Sequence, residues 1–309
     1  MSRYILKRLL QLIPVMIGVS LLVFFLMSKA SGDAAATIAG PDATLEDVEA
    51  VREELGLNDP FFVQYAHYIG NILKGDMGVS YISGRDVFQT YMERVPKTFE
   101  LAIASMIVAL LISIPLGVMA ALNRGPPIDA VSVVAALLGL SMPTFWVGLL
   151  LIMAFALHFK IFPSSGAEGL KSIVLPAITV GANSAAIITR TTRSSMLEVI
   201  SQDYIRTARA KGVPRKLVIR KHALKNALVP IVTVAGLQFS TMLGGSVISE
   251  TVFAWPGVGR LIIDSIKQRD TPLVMGSLIL TTLLISIVAL LIDIIYAFLD
   301  PQIKARYTK

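Results

Sequence analysis

The sequence predicts an all-α membrane protein with six transmembrane helices and a helical subdomain between the first and second of them. Its 309 residues are 54% hydrophobic and 16% charged, with a mean hydropathy of +0.70, and a soluble domain of this composition would expose large apolar patches. The apolar residues form blocks long enough to cross a hydrocarbon core about 30 Å thick, which takes about 20 helical residues. The basic residues are concentrated between two such blocks, as expected of a polytopic protein.

The apolar blocks define the predicted domain organisation. They lie at about 9–27, 98–122, 128–159, 172–188, 227–248 and 273–299. The first block is longer than the core of a signal peptide, so we predict a retained anchor rather than a leader cleaved near Ala30. Residues 1–28 then form the N-terminal start and first span, 29–97 an external subdomain, and 98–309 a core with five spans.

The charge distribution predicts the orientation. Residues 190–226 contain ten bases and two acids, a net charge of +8, whereas residues 29–97 contain six bases and eleven acids, a net charge of −5. Under the positive-inside rule, 190–226 and both termini face the cytoplasm and 29–97 faces outward. Because the basic excess is confined to this loop and the termini, it does not indicate a nucleic-acid partner.

The segment 29–97 is predicted to contain two helices. Thr44 and Asp47 form a variant of the capping box, which begins a helix that ends near Gly56. Aromatic and aliphatic residues then recur at helical spacing up to Gly75. A passive surface cap and a contact site for an external partner both remain open for this subdomain.

Two of the predicted spans are unusually rich in small and polar residues. They surround Asn183 and Ser184 in the fourth span and Gln238 in the fifth. Such helices are expected to face other helices or a water-filled path rather than lipid. Asp293 lies inside the sixth span, where an ionisable group is a functional candidate, although it is also close enough to the interface to pair with Lys304 or Arg306.

The sequence contains no motif for chemistry on this chain. It has no cysteine and no phosphate-binding loop or nucleophile elbow. His67, His158 and His222 are far apart, so no metal site is predicted. We therefore expect neither enzyme activity nor a cofactor or metal on this chain.

The basic segment carries the most specific pattern. Its central part contains Asp203, Tyr204, Ile205, Arg206, Thr207, Ala208, Arg209, Ala210, Lys211 and Gly212. With HALKNALVP at 222–230, this part resembles the cytoplasmic coupling loop of ABC importer permeases, in the first-permease branch of the peptide/nickel family. LGLNDP at 55–60, GDMGVS at 75–80, ETVF at 250–253, WPGVG at 255–259 and DIIYA at 293–297 extend the resemblance over nearly the whole chain.

The match departs from the general importer pattern in one respect. That pattern reads Glu-Ala-Ala, three residues and Gly; with Gly212 as the glycine, its first positions hold Arg206, Thr207 and Ala208. The Arg-Thr-Ala at these positions resembles a signature of the peptide branch. The replacement of the acid leaves open which residue pairs fix the loop to its partner. Locally, we expect Asp203 to cap a short helix, and Gly212 to turn the chain with positive φ.

The resemblance implies a type I ABC importer permease fold in a bacterial or archaeal inner membrane. It implies half of a translocation pathway for di- or oligopeptides, with Asn183, Ser184, Gln238, Thr241 and Met242 as the candidate lining. The implied partners are a homologous second permease, two ABC ATPases that bind ATP and Mg, an outer substrate-binding protein and lipid. Glutathione and nickel or metal chelates remain alternative cargoes. A stand-alone secondary transporter or channel is a further alternative, which inverted repeats would favour.

Overall fold

The computed structural model of the chain describes residues 2–29, 34–40, 42–122 and 142–299. These residues are almost entirely helical, and the described ranges contain no strand, only an isolated bridge between Val79 and Asp86. The helices are α1 Ser2–Lys29, α2 Ala34–Ala39, α3 Leu45–Glu54, α4 Phe61–Leu73, α5 Val87–Leu122, α6 Thr144–Leu151, α7 Val174–Ile200, α8 Asp203–Ala210, α9 Arg215–Leu217, α10 Lys225–Gly245, α11 Val247–Val252, α12 Val258–Gln268 and α13 Thr271–Leu299. Two π-helical segments, π1 Ile152–His158 and π2 Val218–Leu224, continue α6 and join α9 to α10.

The predicted all-α class is confirmed. Within the described residues, four stretches are long and apolar enough to cross a membrane, namely Arg8–Lys29, Val87–Leu122, Arg215–Gly245 and Thr271–Ile295. The predicted third span lies partly outside the described residues, and its described end is the shorter apolar helix Thr144–His158. The predicted fourth span corresponds to α7, which is not among these four stretches. The count of six spans therefore remains a prediction.

The described chain forms two compact units. The first unit contains residues 98–255 and the end of α13 from residue 288, and the second contains residues 2–97 and 256–287. The boundaries predicted from the apolar blocks, 1–28, 29–97 and 98–309, follow the chain linearly and remain a prediction.

The capping box of α3 is confirmed in the second unit. The Asp47 backbone N–H donates to Thr44 Oγ1 over 3.2 Å, and the Thr44 N–H donates to Asp47 Oδ2 over 2.9 Å. Hydrogen bonds from the Thr44 hydroxyl and backbone lower the pKa of Asp47. The helix ends at Glu54, and Gly56 then adopts a φ of +65°, as the sequence predicts.

Helix α4 packs its aromatic face against α1. The ring of Phe24 lies 5.2 Å from that of Phe61 and 5.5 Å from that of Tyr65, measured between centroids in edge-to-face geometry. Ser20 Oγ and Tyr65 OH form a hydrogen bond of 2.9 Å. Because edge-to-face aromatic pairs add to the free energy of area burial, these contacts hold α4 along the first apolar helix.

In the first unit, α7 is the most enclosed long helix. It packs against α10 and α6 and buries fourteen of its 27 residues. A Cβ added to Gly181 would lie 2.7 Å from the carbonyl oxygen of Ser105, so α7 and α5 approach closely at this glycine. The small residues of α7 therefore allow close helix packing, while a water-filled path along this helix remains a prediction.

Candidate functional site

The predicted coupling loop is largely helical. Helix α7 continues to Ile200, and α9 begins at Arg215, so only short turns separate α8 from its neighbours. A basic segment built in this way has a defined backbone path rather than that of an irregular loop.

The N-terminus of α8 corrects one expectation. Gln202 occupies the N-cap position and makes no capping hydrogen bond through its side chain, so the prediction that Asp203 caps the helix is wrong. Asp203 is instead the first helical residue, and its Oδ1 lies 3.7 Å from a guanidinium nitrogen of Arg206. Its carboxylate still interacts favourably with the N-terminal end of the helix dipole.

The C-terminus of α8 is the turn predicted from Gly212. Gly212 adopts a φ of +74°, and its N–H donates to the Arg209 carbonyl over 3.0 Å. The Val213 N–H donates to the Ala208 carbonyl over 3.3 Å, which completes a Schellman motif. A Cβ on Gly212 would meet no atom within 4 Å. The requirement for glycine therefore comes from the backbone conformation and not from crowding.

Two contacts fix α8 to the base of α10. The Ile205 side chain is completely buried, and α8 packs against π2. The Asn226 side-chain amide donates to the Tyr204 hydroxyl over 2.8 Å and to the His222 carbonyl over 2.9 Å. Asn226 lies in the first turn of α10, so this hydrogen bond joins α8 directly to that long apolar helix.

The rest of α8 and its C-terminal turn form an accessible surface, which we call the coupling surface. Ala208 is half-buried, and the other members are exposed: Asp203, Tyr204, Arg206, Thr207, Arg209, Ala210, Lys211 and Gly212. With three bases and one acid, this surface has the charge and shape to bind a partner with an acidic or polar groove.

The candidate lining residues meet at the contact between α7 and α10. Ser184 Oγ donates to Gln238 Oε1 over 3.1 Å, and Ser184 and Met242 are buried. The Thr241 hydroxyl donates to the Gln238 carbonyl within α10 over 2.7 Å. Asn183 is half-buried beside Ser184. The structure thus brings Ser184 and Gln238 into contact, while Asn183, Thr241 and Met242 are their chain neighbours.

Glu250 is a site that sequence reasoning missed. Its carboxylate is completely buried in α11, where Oε1 accepts hydrogen bonds of 3.0 Å from the hydroxyls of Thr98 and Ser246. The signal in the sequence for this site is that Glu250 is the single acid in the mostly apolar run 242–256, which contains Gly244 and Gly245. Asp293 is half-buried in α13, and its predicted partners Lys304 and Arg306 lie outside the described residues.

Comparison with known protein families identifies the family of this chain. The family described as "Binding-protein-dependent transport system inner membrane component" matches residues 113–305. The corresponding N-terminal family of these membrane components matches residues 1–102. The chain belongs to this family.

Relatives and solved structures agree with the assignment. The permease is 42% identical to the glutathione transport system permease protein GsiC of Escherichia coli O6:H1, over 99% of this chain and 100% of the relative. The same protein from Salmonella choleraesuis is 43% identical over the same shares. An inward-facing methionine ABC transporter, MetNI, matches with a TM-score of 0.54, 23% identity and coverage of 69% of this chain and 97% of that chain.

A second solved structure shows the same fold. It is an amino acid ABC transporter with histidines, with a TM-score of 0.52, 16% identity and coverage of 70% of this chain and 94% of that chain. The protein is therefore an integral inner-membrane permease component of a binding-protein-dependent ABC importer. The suspected membership of the importer permease class is confirmed.

Proposed function

We propose that this permease forms half of the translocation pathway of a short-peptide importer and that its coupling surface binds an ATPase subunit. A homologous second permease forms the other half, two ATPases supply the energy, and an extracytoplasmic binding protein delivers the cargo. The observation that carries the proposal is the attachment of α8. This short helix is exposed on its basic side, anchored by buried Ile205 and hydrogen-bonded through Tyr204 to Asn226 of α10.

The attachment of α8 gives a direct route for coupling. ATP and Mg²⁺ bind to the ATPase subunits, which carry out the hydrolysis. When the ATPases close, α8 moves as a rigid body and carries π2 and α10 with it. The Ser184–Gln238 hydrogen bond between α7 and α10 then shifts or breaks, and the pathway opens to the other side. If the two conformations differ in free energy by only a few kcal/mol, the binding of cargo and ATP is sufficient to determine which one is populated.

The proposed orientation places the coupling surface and both termini in the cytoplasm and the 29–97 segment outside. The absence of cysteine allows a direct test with single-cysteine variants of exposed residues. In intact cells, a membrane-impermeant maleimide is expected to label Leu73→Cys in α4 and to leave Thr207→Cys in α8 unlabelled until the cells are permeabilised. Labelling of Thr207→Cys in intact cells contradicts the orientation.

The same two variants test the ATPase contact. Affinity purification of the permease from its native membrane is expected to recover two nucleotide-binding polypeptides. A short bifunctional cross-linker at Thr207→Cys should join the permease to one of them, whereas Leu73→Cys should give no such product. Recovery of an active transporter without any nucleotide-binding polypeptide would identify a secondary transporter or channel and refute the proposal.

We propose short peptides as the cargo, with glutathione as the first tripeptide to test because the relatives are named glutathione permeases. Nickel or metal chelates are the alternative. The melting temperature of the cognate binding protein should rise with glutathione or with a dipeptide. A rise with a nickel chelate alone contradicts the peptide cargo.

A further inference from the structure

A cavity of about 780 Å³ lies in the second unit, in the size range of about 300–1,000 Å³ that is typical of small-molecule sites. Its walls come from the end of α1, from α3 and the turn after it, from α4 and the loop that follows it, from the end of α12 and from the start of α13. Phe24, Met27, Met77 and Met275 give it an apolar lining. Methionine side chains adapt to ligands of different shape, so this lining suits a variable apolar body.

One polar group of the cavity lacks a partner. The Tyr68 hydroxyl is buried and makes no hydrogen bond to any described residue, although it lines the cavity. Burial raises the pKa of Tyr68, and the neighbouring Tyr65 adds to this effect. A neutral buried O–H without an acceptor is unfavourable, and a ligand oxygen in the cavity would satisfy it.

Three charged side chains, Arg52, Asp76 and Arg269, also line the cavity. Arg269 adopts a left-handed conformation with a φ of +59°, which is rare for a residue with a side chain, and its exposed guanidinium has no ion-pair partner among the described residues. Arg52 also lines the cavity, but it already pairs with Glu49. Asp76 is exposed and uses its Oδ1 to accept the Gly78 N–H over 2.8 Å, so Oδ2 is left for a ligand.

Hydrogen bonds to Asp270 fix the wall of the cavity that contains Tyr81. Asp270 is buried and accepts hydrogen bonds from the Ser80 hydroxyl and, over 3.1 Å, from the Tyr81 N–H. Burial raises the pKa of Tyr81, and the charge of Asp270 acts in the same direction. The loop between α4 and α5 is therefore fixed to the start of α13, and the cavity has a formed wall on this side.

We propose that this cavity binds short zwitterionic peptides. One available cation and one available carboxylate match the carboxylate and ammonium groups of a peptide, whereas a phosphate dianion would require more than one cation. Arg269 binds the peptide carboxylate, Asp76 binds the ammonium group, and Tyr68 donates to a peptide oxygen. The site extends the proposed function, from which it takes the cargo class, and its lining includes none of the candidate pathway residues at the α7–α10 contact.

Equilibrium binding to the purified full chain in phosphatidylcholine nanodiscs tests this site without any ATPase, so it can fail independently of the transport proposal. The probes are the dipeptide Leu-Phe, its C-terminal amide and its N-acetyl derivative. The wild type should bind Leu-Phe about tenfold more tightly than either derivative, since each lacks one charge-assisted contact.

Three variants assign the contacts. Arg269→Gly, which suits the left-handed backbone, should bind Leu-Phe and its amide equally, and Asp76→Asn should bind Leu-Phe and its N-acetyl derivative equally. Tyr68→Phe should weaken all three probes about threefold. Lys267→Gln, an exposed cation on α12 outside the cavity, is the matched control and should behave as the wild type. The proposal is overturned if the wild type shows no saturable binding at millimolar concentration, or if Arg269→Gly keeps its preference for the free carboxylate.

Discussion

The coupling surface and the Glu250 site use polar residues in opposite ways. On α8 nearly every polar side chain is exposed, and one buried side chain, Ile205, holds the helix in place. At Glu250 the carboxylate itself is completely buried, and it accepts hydrogen bonds from the Thr98 hydroxyl in α5 and from the hydroxyl of Ser246 between α10 and α11. On α8 the polar groups are available to a partner, whereas at Glu250 they form hydrogen bonds with each other inside the protein. Substitutions should therefore affect coupling in one region and stability in the other.

The largest loss of stability is expected at Glu250. Glu250→Ala removes the acceptor of two buried hydroxyls and leaves a cavity, so the free energy of unfolding should fall by about 3 kcal/mol. Glu250→Gln keeps an acceptor oxygen and should lose much less. Thermal unfolding of the purified permease measures both variants. Equal melting temperatures for Glu250→Ala and the wild type would show that the buried hydrogen bonds do not stabilise this region.

A second stability test uses two glycines of the first unit. Gly181→Ala places a Cβ 2.7 Å from the Ser105 carbonyl oxygen, whereas Gly245→Ala meets no atom within 4 Å. Overpacking should destabilise Gly181→Ala by about 1–3 kcal/mol, and the helix propensity of alanine should leave Gly245→Ala neutral or slightly stabilised. The same thermal measurement applies. Equal destabilisation by the two alanines would contradict the close approach of α7 and α5.

A smaller effect is expected for the hydrogen bond that joins α8 to α10. Tyr204→Phe removes the acceptor of the Asn226 amide at an exposed site, which should change the free energy of unfolding by less than about 1 kcal/mol. Cargo-stimulated transport by the assembled importer should nevertheless fall several-fold, because the link between the two helices is weakened. Loss of thermal stability without loss of transport would assign Tyr204 a structural role only.

The smallest effect concerns the exposed capping box of α3. The pKa of Asp47 is lowered from its ordinary value of 3.8 by the Thr44 hydrogen bonds. Its contribution is therefore fully present above pH 3.8 and is lost as the pH falls through the lowered value. Hydrogen exchange of 44–55, corrected for intrinsic rates, should show weaker protection at pH 3 than at pH 6. Asp47→Asn should show no such pH dependence, and an equal change in both proteins would exclude this carboxylate as the cause.

Locally encoded features were predictable from the sequence. The capping box at Thr44, the ends of α3 and α4, and the turn at Gly212 each depend on a few adjacent residues. The all-α class followed from the length of the apolar blocks. The Asp203 cap failed because the helix begins one residue earlier than the charge pattern indicates, so that Gln202 takes the cap position.

Features that depend on tertiary contacts were not predictable. The Glu250 site joins Thr98 to Glu250, and no local sequence pattern predicts that pairing. The segments π1 and π2 were not predicted, since neither sequence, IMAFALH or VIRKHAL, has a pattern that distinguishes a π-helix from an α-helix. The sequence placed Ser184 and Gln238 on the same candidate lining, but it did not predict the hydrogen bond between them.

The central claim is that a rigid α8 transmits the motion of the ATPases to α10. Gly212→Leu tests it most directly, because the left-handed backbone at Gly212 disfavours a side chain by about 1–2 kcal/mol, while an added Cβ meets no atom within 4 Å. The assembled complex should be recovered in normal yield, and the stimulation of its ATP hydrolysis by cargo-loaded binding protein should be lost. Wild-type stimulation in the Gly212→Leu complex would contradict the account.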